Sequence, residues 1–339
     1  MMNYSFIIPV YNCKAYLPAC VQSIRSVGVE NYEILLVNDG STDGSGAVCD
    51  ELAGKYHPVR VIHQPNGGAS AARNRGIREA VGEKVIFFDA DDTIDSAALG
   101  KILADPRCAE ADMTIFGLTF DYYYNGLCYR RDPLFYEQEG VLGKEAWCRE
   151  FTRLYEKNSL SPVWNKVFRR DILQTHSLEL DQGMFLYEDF EFVLRYMAHC
   201  ETIFNVPRAV YHYRQSEDEG NARRRLARID CLSDFIAPIE AAVNGLPGVP
   251  AEQREAVLVQ LYQVLAREKI SGASLKQAEK ICGDYARWYA GWGYTAGANG
   301  FHRNLMDHKA LKLMFSDQKT ALRHRVAVWA KAHNLYKRK

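Results

Sequence analysis

The chain has 339 residues, of which 47% are hydrophobic, 25% charged and 12% aromatic, and this excludes a collagen-like, low-complexity or wholly disordered protein. Lys plus Arg and Asp plus Glu both number 42, so the basic surplus of a generic nucleic-acid binder is missing and no nucleic-acid partner is expected. At roughly 150 residues per domain the length predicts two or three structural units with ample chain for a core.

Tyr4–Val10 is a short apolar run of β type, and Leu17, Cys20, Val21 and Ile24 follow it at helical spacing. Tyr32–Val37 reads as a second buried strand, stopped by the turn signature Asn38-Asp39-Gly40. A helix over Gly46–Tyr56, a strand over Val59–His63, a helix over Ala69–Ala80 and a strand over Lys84–Phe88 continue the alternation. Such a pattern predicts parallel β-α-β units, in which ligands sit beyond the carboxyl ends of the strands. Those ends carry Tyr11-Asn12, Asn38-Asp39 and Asp89–Asp92, so three polar clusters are expected on one rim. A helix is expected over Ile94–Leu103. Met113–Phe120 follows, and Asn125-Gly126 between Asp121–Tyr124 and Leu127–Arg131 reads as a β-hairpin.

From about Asn221 onward the pattern is helical, with Leu226, Ile229, Leu232 and Ile236 in one helix and Val257, Leu261, Val264 and Leu265 in another. Gly245–Pro250 separates the two. The nine cysteines (13, 20, 49, 108, 128, 148, 200, 231 and 282) contain no C-x-x-C pair, which predicts neither a zinc module nor a disulfide framework. A reducing cytosol is the expected compartment. Met1-Met2-Asn3-Tyr4-Ser5 has no secretory-signal pattern, and no run reaches the ~20 apolar residues that span a bilayer.

Asp89-Ala90-Asp91-Asp92 is the strongest local signal. Carboxylates this close repel one another unless a cation sits among them, and hard oxygen ligands at a strand end suit Mg²⁺ or Mn²⁺. The alternative is a solvated turn in which one Asp caps the following helix.

Four strings occur in order: Phe6-Ile7-Ile8-Pro9-Val10-Tyr11-Asn12, Val37-Asn38-Asp39-Gly40-Ser41-Thr42-Asp43, Asn66-Gly67-Gly68-Ala69-Ser70-Ala71-Ala72-Arg73-Asn74 and Asp89-Ala90-Asp91-Asp92. Together they resemble the nucleotide-sugar-binding half of the family 2 glycosyltransferases. The resemblance is dense over residues 4–95 and weaker over 155–216. It implies a GT-A fold, an α/β architecture with a mostly parallel sheet flanked by helices. The expected division is a nucleotide-sugar half over residues 1–112, an acceptor half over 113–220 and a helical extension over 221–339. It also implies inverting transfer of a single sugar from a UDP-sugar donor to a glycan or lipid-linked glycan.

Residue by residue, the resemblance implies a donor site of Pro9, Tyr11, Asp39, Asn66, Gly67, Arg73, Asp89 and Asp91. Tyr11 would stack on uracil and Asp39 would pair with its edge. Arg73 would contact phosphate or form a buried ion pair with the acidic cluster. Asp91 and Asp89 would hold Mn²⁺ or Mg²⁺, and His212 in Val210-Tyr211-His212-Tyr213-Arg214 is either a further ligand or a structural residue. Ser161-Pro162-Val163-Trp164-Asn165-Lys166 and Tyr187-Glu188-Asp189-Phe190 resemble the acceptor side. There Asp189 would be the catalytic base, with Glu188 as the alternative, and Trp164, Lys166 and Arg214 would face the acceptor. Glu188–Glu191 equally suits an acidic first helical turn.

Three other classes are disfavoured. A dinucleotide-dependent oxidoreductase needs G-x-G-x-x-G after the first strand, and Tyr11-Asn12-Cys13-Lys14 has no glycine. A P-loop is missing, since Gly54-Lys55 precedes Tyr56. A processive synthase would carry Q-x-x-R-W and spanning helices, whereas Asp284 stands where glutamine would precede Arg287-Trp288. A catalytically silent sugar-nucleotide-binding protein of the same fold is the remaining alternative, and the intact Asp91 and Asp189 argue against it. Finally, Lys319–Lys339 carries seven Lys or Arg and no Asp or Glu, with Leu322, Val326, Trp329 and Tyr336 near helical spacing. It is expected either to lie on an anionic membrane as a basic amphipathic helix or to pack on the protein, and Arg223-Arg224-Arg225 with Arg228 form a second basic cluster.

Overall fold

Apolar runs such as Ile34-Leu35-Leu36-Val37 are buried along their whole length because both faces of their sheet are covered. The computed structural model describes residues 3–124, 127–215 and 228–271, together with 277, 280, 281, 284, 285, 287 and 288. Strand β1 (Tyr4–Val10) lies between β2 (Tyr32–Asp39) and β4 (Lys84–Phe87) and is parallel to both. Strand β3 (Val59–Gln64) extends the same parallel set beyond β2.

The sheet is mixed, in the order β3-β2-β1-β4-β9-β6-β10-β5. Here β5 is Thr93–Ile94, β6 Met113–Tyr124, β9 Lys166–Arg169 and β10 Thr202–Gln215. The remaining strands, β7 (Leu127–Leu134) and β8 (Gly140–Gly143), pair with β6 and β10. Because β9 is antiparallel to both β4 and β6, β6 runs in the direction of β4. Strand β10 is parallel to β6. The carboxyl ends of β1, β2, β4, β6 and β10 therefore share one rim, as the strand–helix alternation predicts for the first three.

Helix α1 (Leu17–Arg25) buries Leu17, Cys20, Val21 and Ile24 on the sheet, and α2 (Ser45–Lys55) and α3 (Ala69–Glu79) cover its neighbours. The expected helix over Ile94–Leu103 begins later. Thr93 and Ile94 pair with His212 and Tyr211 instead, and α4 (Ser96–Leu103) starts after Asp95, whose carboxylate accepts the Ala98 N–H. The expected hairpin arm is longer than Asp121–Tyr124, since β6 runs unbroken from Met113 and pairs antiparallel with β7. Its turn, Asn125-Gly126, lies outside the described residues, as do Arg223–Arg225, Leu226, Cys282 and the basic segment Lys319–Lys339.

The described residues fall into two compact units, the first within 1–218 and 239–257 and the second within 219–238 and 258–339. In the second, Tyr262 stacks on Trp288 and meets Tyr285 edge-on, while Arg287 pairs with Asp284. Two long helices are present, Leu232–Asn244 and Ala251–Ser271, but the first begins only after Ile229, which was expected within it, and Val264 in the second is exposed. No described helix is long and apolar enough to cross a membrane, and the eight described cysteines form no disulfide.

Close packing of α3 on β1 depends on a missing side chain. A Cβ added at Gly76 would lie 2.2 Å from Ile7 Cγ2. Gly76→Ala should therefore lower stability by about 1–3 kcal/mol in urea denaturation. Gly54→Ala, where an added Cβ meets nothing within 4 Å, should not. Equal midpoints for the two variants would refute the close approach.

Candidate active site

Two loops are laced together at the ends of β1 and β2. Asn12, at φ 49°, accepts the Thr42 N–H at 2.8 Å, and its own N–H donates to Ser41 Oγ at 3.2 Å. This leaves the ring of Tyr11 54% exposed on the rim. Asp39, by contrast, is buried. Its Oδ1 accepts the Gly67 N–H and Gln64 Nε2, and its Oδ2 accepts the Gly68 N–H, each at 2.8 Å. Asn66 Nδ2 donates to the Asp39 carbonyl at 3.1 Å. Gly68 needs its freedom here, with φ at 88°. The Asp39 carboxylate thus shapes the Asn66-Gly67-Gly68 loop. Three of its roughly four acceptor positions are taken among the described residues, two on Oδ1 and one on Oδ2.

Arg73 comes from α3 and is only 6% exposed. Its Nη2 donates to Asp89 Oδ1 at 2.7 Å and its Nη1 to Asp189 Oδ1 at 3.1 Å. Burial disfavours the guanidinium charge, but Asp189 and Asp89 outweigh that and hold it protonated even more firmly than usual. Arg73 Nε is buried without a partner among the described residues. Asp189 sits in the acidic first turn of α5 (Glu188–Met197), where the helix dipole favours negative charge. Burial pushes its carboxyl up to about 6, against Arg73 and the Val163 N–H; Glu188 and Asp89 push the same way as burial. Glu188, half-buried, lies beside it.

The three carboxylates after β4 have three different fates. Asp89 is pinned by Arg73, and its N–H donates to Tyr211 Oη at 3.1 Å. Asp91 is exposed on the rim, where partial desolvation and Asp89 raise its pKa and Arg214 opposes them. Asp92 is buried, and it is not the helix cap, a role taken by Asp95. It accepts Tyr211 Oη at 2.7 Å and the Arg214 N–H at 2.8 Å. Burial, then Asp89 and Asp91, push it up to about 9.

Two expected acceptor contacts depart from the sequence reading, and His212 takes the structural one of its two alternatives. Trp164 is buried and stacks on Tyr211 and Tyr213, with ring centroids 4.1 and 5.3 Å apart, so it packs against the protein rather than an acceptor. Lys166 is fully buried, its amine on the Pro162 carbonyl and Asn165 Oδ1, and it reaches no acceptor surface. His212 faces Asp121, with Nδ1 3.3 Å from Oδ2, rather than Asp89 or Asp91, because alternation along β10 turns it away from Tyr211. Arg214 remains on the rim, its guanidinium 3.7 Å from the Tyr123 ring centroid and 5.1 Å from that of Tyr16. Tyr211, which joins Asp89 to Asp92, was not singled out from the sequence; its alternation with Tyr213 was the available signal.

Among the described residues no group of three or more His, Cys, Asp and Glu side chains surrounds a common point. Mg²⁺ and Mn²⁺ need no such group, since one or two carboxylates with substrate phosphate and water complete their shell. The donor set fits: exposed Asp91 and the partly exposed Asp89 are hard oxygen ligands whose mutual repulsion a cation relieves.

The family described as Glycosyl transferase family 2 matches residues 5–176. The chain is 30% identical over 214 residues to the uncharacterized glycosyltransferase EpsJ of Bacillus subtilis, an alignment covering 62% of this chain and 61% of EpsJ. It is 29% identical over 231 residues to the minor teichoic acid biosynthesis protein GgaB of the same organism, covering 65% of this chain and 24% of GgaB. The chain thus spans less than two thirds of the length of these curated relatives. Residues 1–349 of S. aureus TarS, crystallised with UDP, superpose with a TM-score of 0.65 at 17% identity, covering 99% of this chain and 93% of that one, a likeness of fold alone.

Removing the shared counter-charge strands two carboxylates. Arg73→Met should cost about 3–5 kcal/mol at pH 7. The native Asp189 carboxyl binds its proton more tightly than an unfolded aspartate, whose pKa is about 4, so stability from this group grows as pH falls through 6 toward 4. Without Arg73 that carboxyl rises further, and the deficit relative to wild type should shrink between pH 7 and pH 5 in urea denaturation. A deficit independent of pH would mean the ion pairs are not what was lost.

Proposed function

The chain belongs to glycosyl transferase family 2, and from that premise we propose that it moves one sugar from a UDP-sugar to a hydroxyl of a glycan or lipid-linked glycan, with inversion. The observation that carries this reading is the Arg73 bridge, which joins Asp89 on the donor side to Asp189 on the acceptor side. Donor and acceptor chemistry are then separated by the width of one guanidinium.

Tyr11 offers an exposed ring for uracil, and Asp39 has one acceptor position beside the Gly67-Gly68 backbone for the imide N–H. The complex of TarS with UDP supports a uridine nucleotide. Asp91 and Asp89 would hold Mn²⁺ or Mg²⁺, which when bound supplies Lewis-acid neutralisation of the diphosphate. Asp189, ionised above about pH 6, takes the proton of the acceptor hydroxyl as its oxygen attacks the anomeric carbon. The bond from that carbon to the diphosphate oxygen breaks with its electron pair leaving on UDP. Attack from the face opposite the leaving group turns an α-linked donor into a β-linked product.

Glu188 and Arg214 would contact the acceptor. The name of GgaB, a teichoic acid biosynthesis protein, supports a surface glycan as the product class. The basic segment Lys319–Lys339 would rest on the inner face of an anionic membrane, where a lipid-linked acceptor is found.

Release of UDP from a panel of UDP-sugars with Mn²⁺ tests the reading. Asp189→Asn should lower turnover by about 10²- to 10⁴-fold while UDP still binds, and Asp91→Ala should abolish the metal response. The wild-type kcat/KM profile, which reports the free enzyme, should rise with pH through an acid limb near 6. Proton NMR should show a β-linked product. An Asp189→Asn enzyme as active as wild type, or retention of configuration, would refute the assignment.

A further inference from the structure

Tyr211 is fully buried, and the proposed reaction assigns it nothing. Its ring is held on more than one side: it stacks on Trp164 with centroids 4.1 Å and planes 19° apart, and it meets Phe88 at 5.2 Å. Its backbone pairs with Ile94 on β5 and with Leu118 on β6. The hydroxyl is therefore fixed in place. There it accepts the Asp89 N–H at 3.1 Å and donates to Asp92 Oδ2 at 2.7 Å. The other oxygen of Asp92 accepts the Arg214 N–H at 2.8 Å, so this carboxylate is tied to β10 through both oxygens.

One hydroxyl thus closes the Asp89–Asp92 turn from end to end, and the Asp92 N–H closes it again on the Asp89 carbonyl at 3.2 Å. Asp91 lies within that span. Carboxylates on so short a turn repel one another, and an untied turn would relax by moving them apart. Groups that fix metal ligands from behind change metal affinity about 10- to 100-fold when they are lost. We propose that Tyr211 is a positioning residue for the metal: its hydroxyl holds the Asp89–Asp92 turn so that Asp89 and Asp91 are presented to one divalent cation. The proposal rests on the reading that Asp91 and Asp89 hold Mn²⁺ or Mg²⁺. It makes the buried Asp92 an anchor of the turn rather than a ligand, and it gives the stack of Trp164 on Tyr211 a purpose.

Tyr211→Phe keeps the ring, its stack and its burial and removes only the hydroxyl. UDP binding, measured by calorimetry over a series of Mn²⁺ concentrations, separates the two sides of the donor site. The Mn²⁺ concentration that half-maximally tightens UDP binding should rise about 10- to 100-fold. UDP affinity without metal, which rests on Tyr11 and Asp39 in the proposed donor site, should match wild type. A packing defect would instead weaken UDP binding with and without metal alike. An unchanged Mn²⁺ requirement, or equal losses with and without metal, overturns the proposal. Should Tyr211→Phe not fold, Trp164→Phe, which reduces the stack that fixes the Tyr211 ring, should raise the Mn²⁺ requirement by a smaller factor, and an unchanged requirement there overturns it too. Asp91→Ala, measured in parallel, should show no tightening of UDP binding by Mn²⁺. If it tightens as wild type does, the metal assignment itself fails. If it does not, while Tyr211→Phe behaves as wild type, only the positioning role fails.

Discussion

One buried guanidinium organises the candidate site. Arg73 stands between carboxylates a hundred residues apart in the chain, one at the end of β4 and one at the start of α5. A buried ion pair is costly to desolvate, and its attraction repays that cost only with good geometry and further hydrogen bonds. Here two carboxylates share a single cation, each through its own nitrogen, so neither is left as an isolated buried charge. Arginine suits the position because its planar fork reaches in two directions and does not deprotonate. The requirement passes into the fold: α3 has to lie close enough to β1 to aim Arg73 at both partners, and Gly76 permits that approach.

A second set of contacts fixes the turn that carries Asp89 and Asp92. Trp164 stacks on Tyr211, and Tyr211 meets both the Asp89 N–H and the Asp92 carboxylate. The loop that leads into β9 thus meets the Asp89–Asp92 turn through the stack of Trp164 on Tyr211. Its rigidity comes from the buried polar atoms of Asn165 and Lys166, both tied back to the backbone. Satisfied buried polar groups of this kind fix one arrangement where an apolar loop would allow several.

The parallel half of the sheet was legible because its strands are continuous apolar runs separated by helices with one apolar stripe, and both patterns are local. The rim clusters followed directly, since strand direction alone puts their carboxyl ends together. The roles within them were less legible. Asp89, Asp91 and Asp92 look equivalent in sequence, yet Arg73 from one helix and Tyr211 from the last strand separate them. Trp164 and Lys166 read as surface contacts because aromatic and cationic side chains so often are. Their burial depends on β10 and β6, which lie far away in sequence. The expected helix over Ile94–Leu103 started late for the same reason, because its first residues pair with β10.

The charge arrangement also bears on how a donor enters. Asp89, Asp91, Asp189 and Glu188 face Arg73 and Arg214, and Arg73 is already committed to two of those carboxylates. Asp92 adds little negative charge, since burial among its neighbours holds it toward its protonated form. The rim is therefore negative on its own, and a diphosphate approaching it meets repulsion that one rim arginine does not offset. A divalent cation between Asp91 and the diphosphate would reverse that balance, because carboxylates and phosphate are then ligands of the same ion. Occupancy of the donor side would also draw negative charge away from Arg73. Its hold on Asp189 would strengthen, favouring the ionised form of that carboxyl. Under the proposed roles of Asp89 and Asp189, the shared guanidinium would link donor binding to readiness for proton removal, a coupling that would be lost if each carboxylate had its own cation.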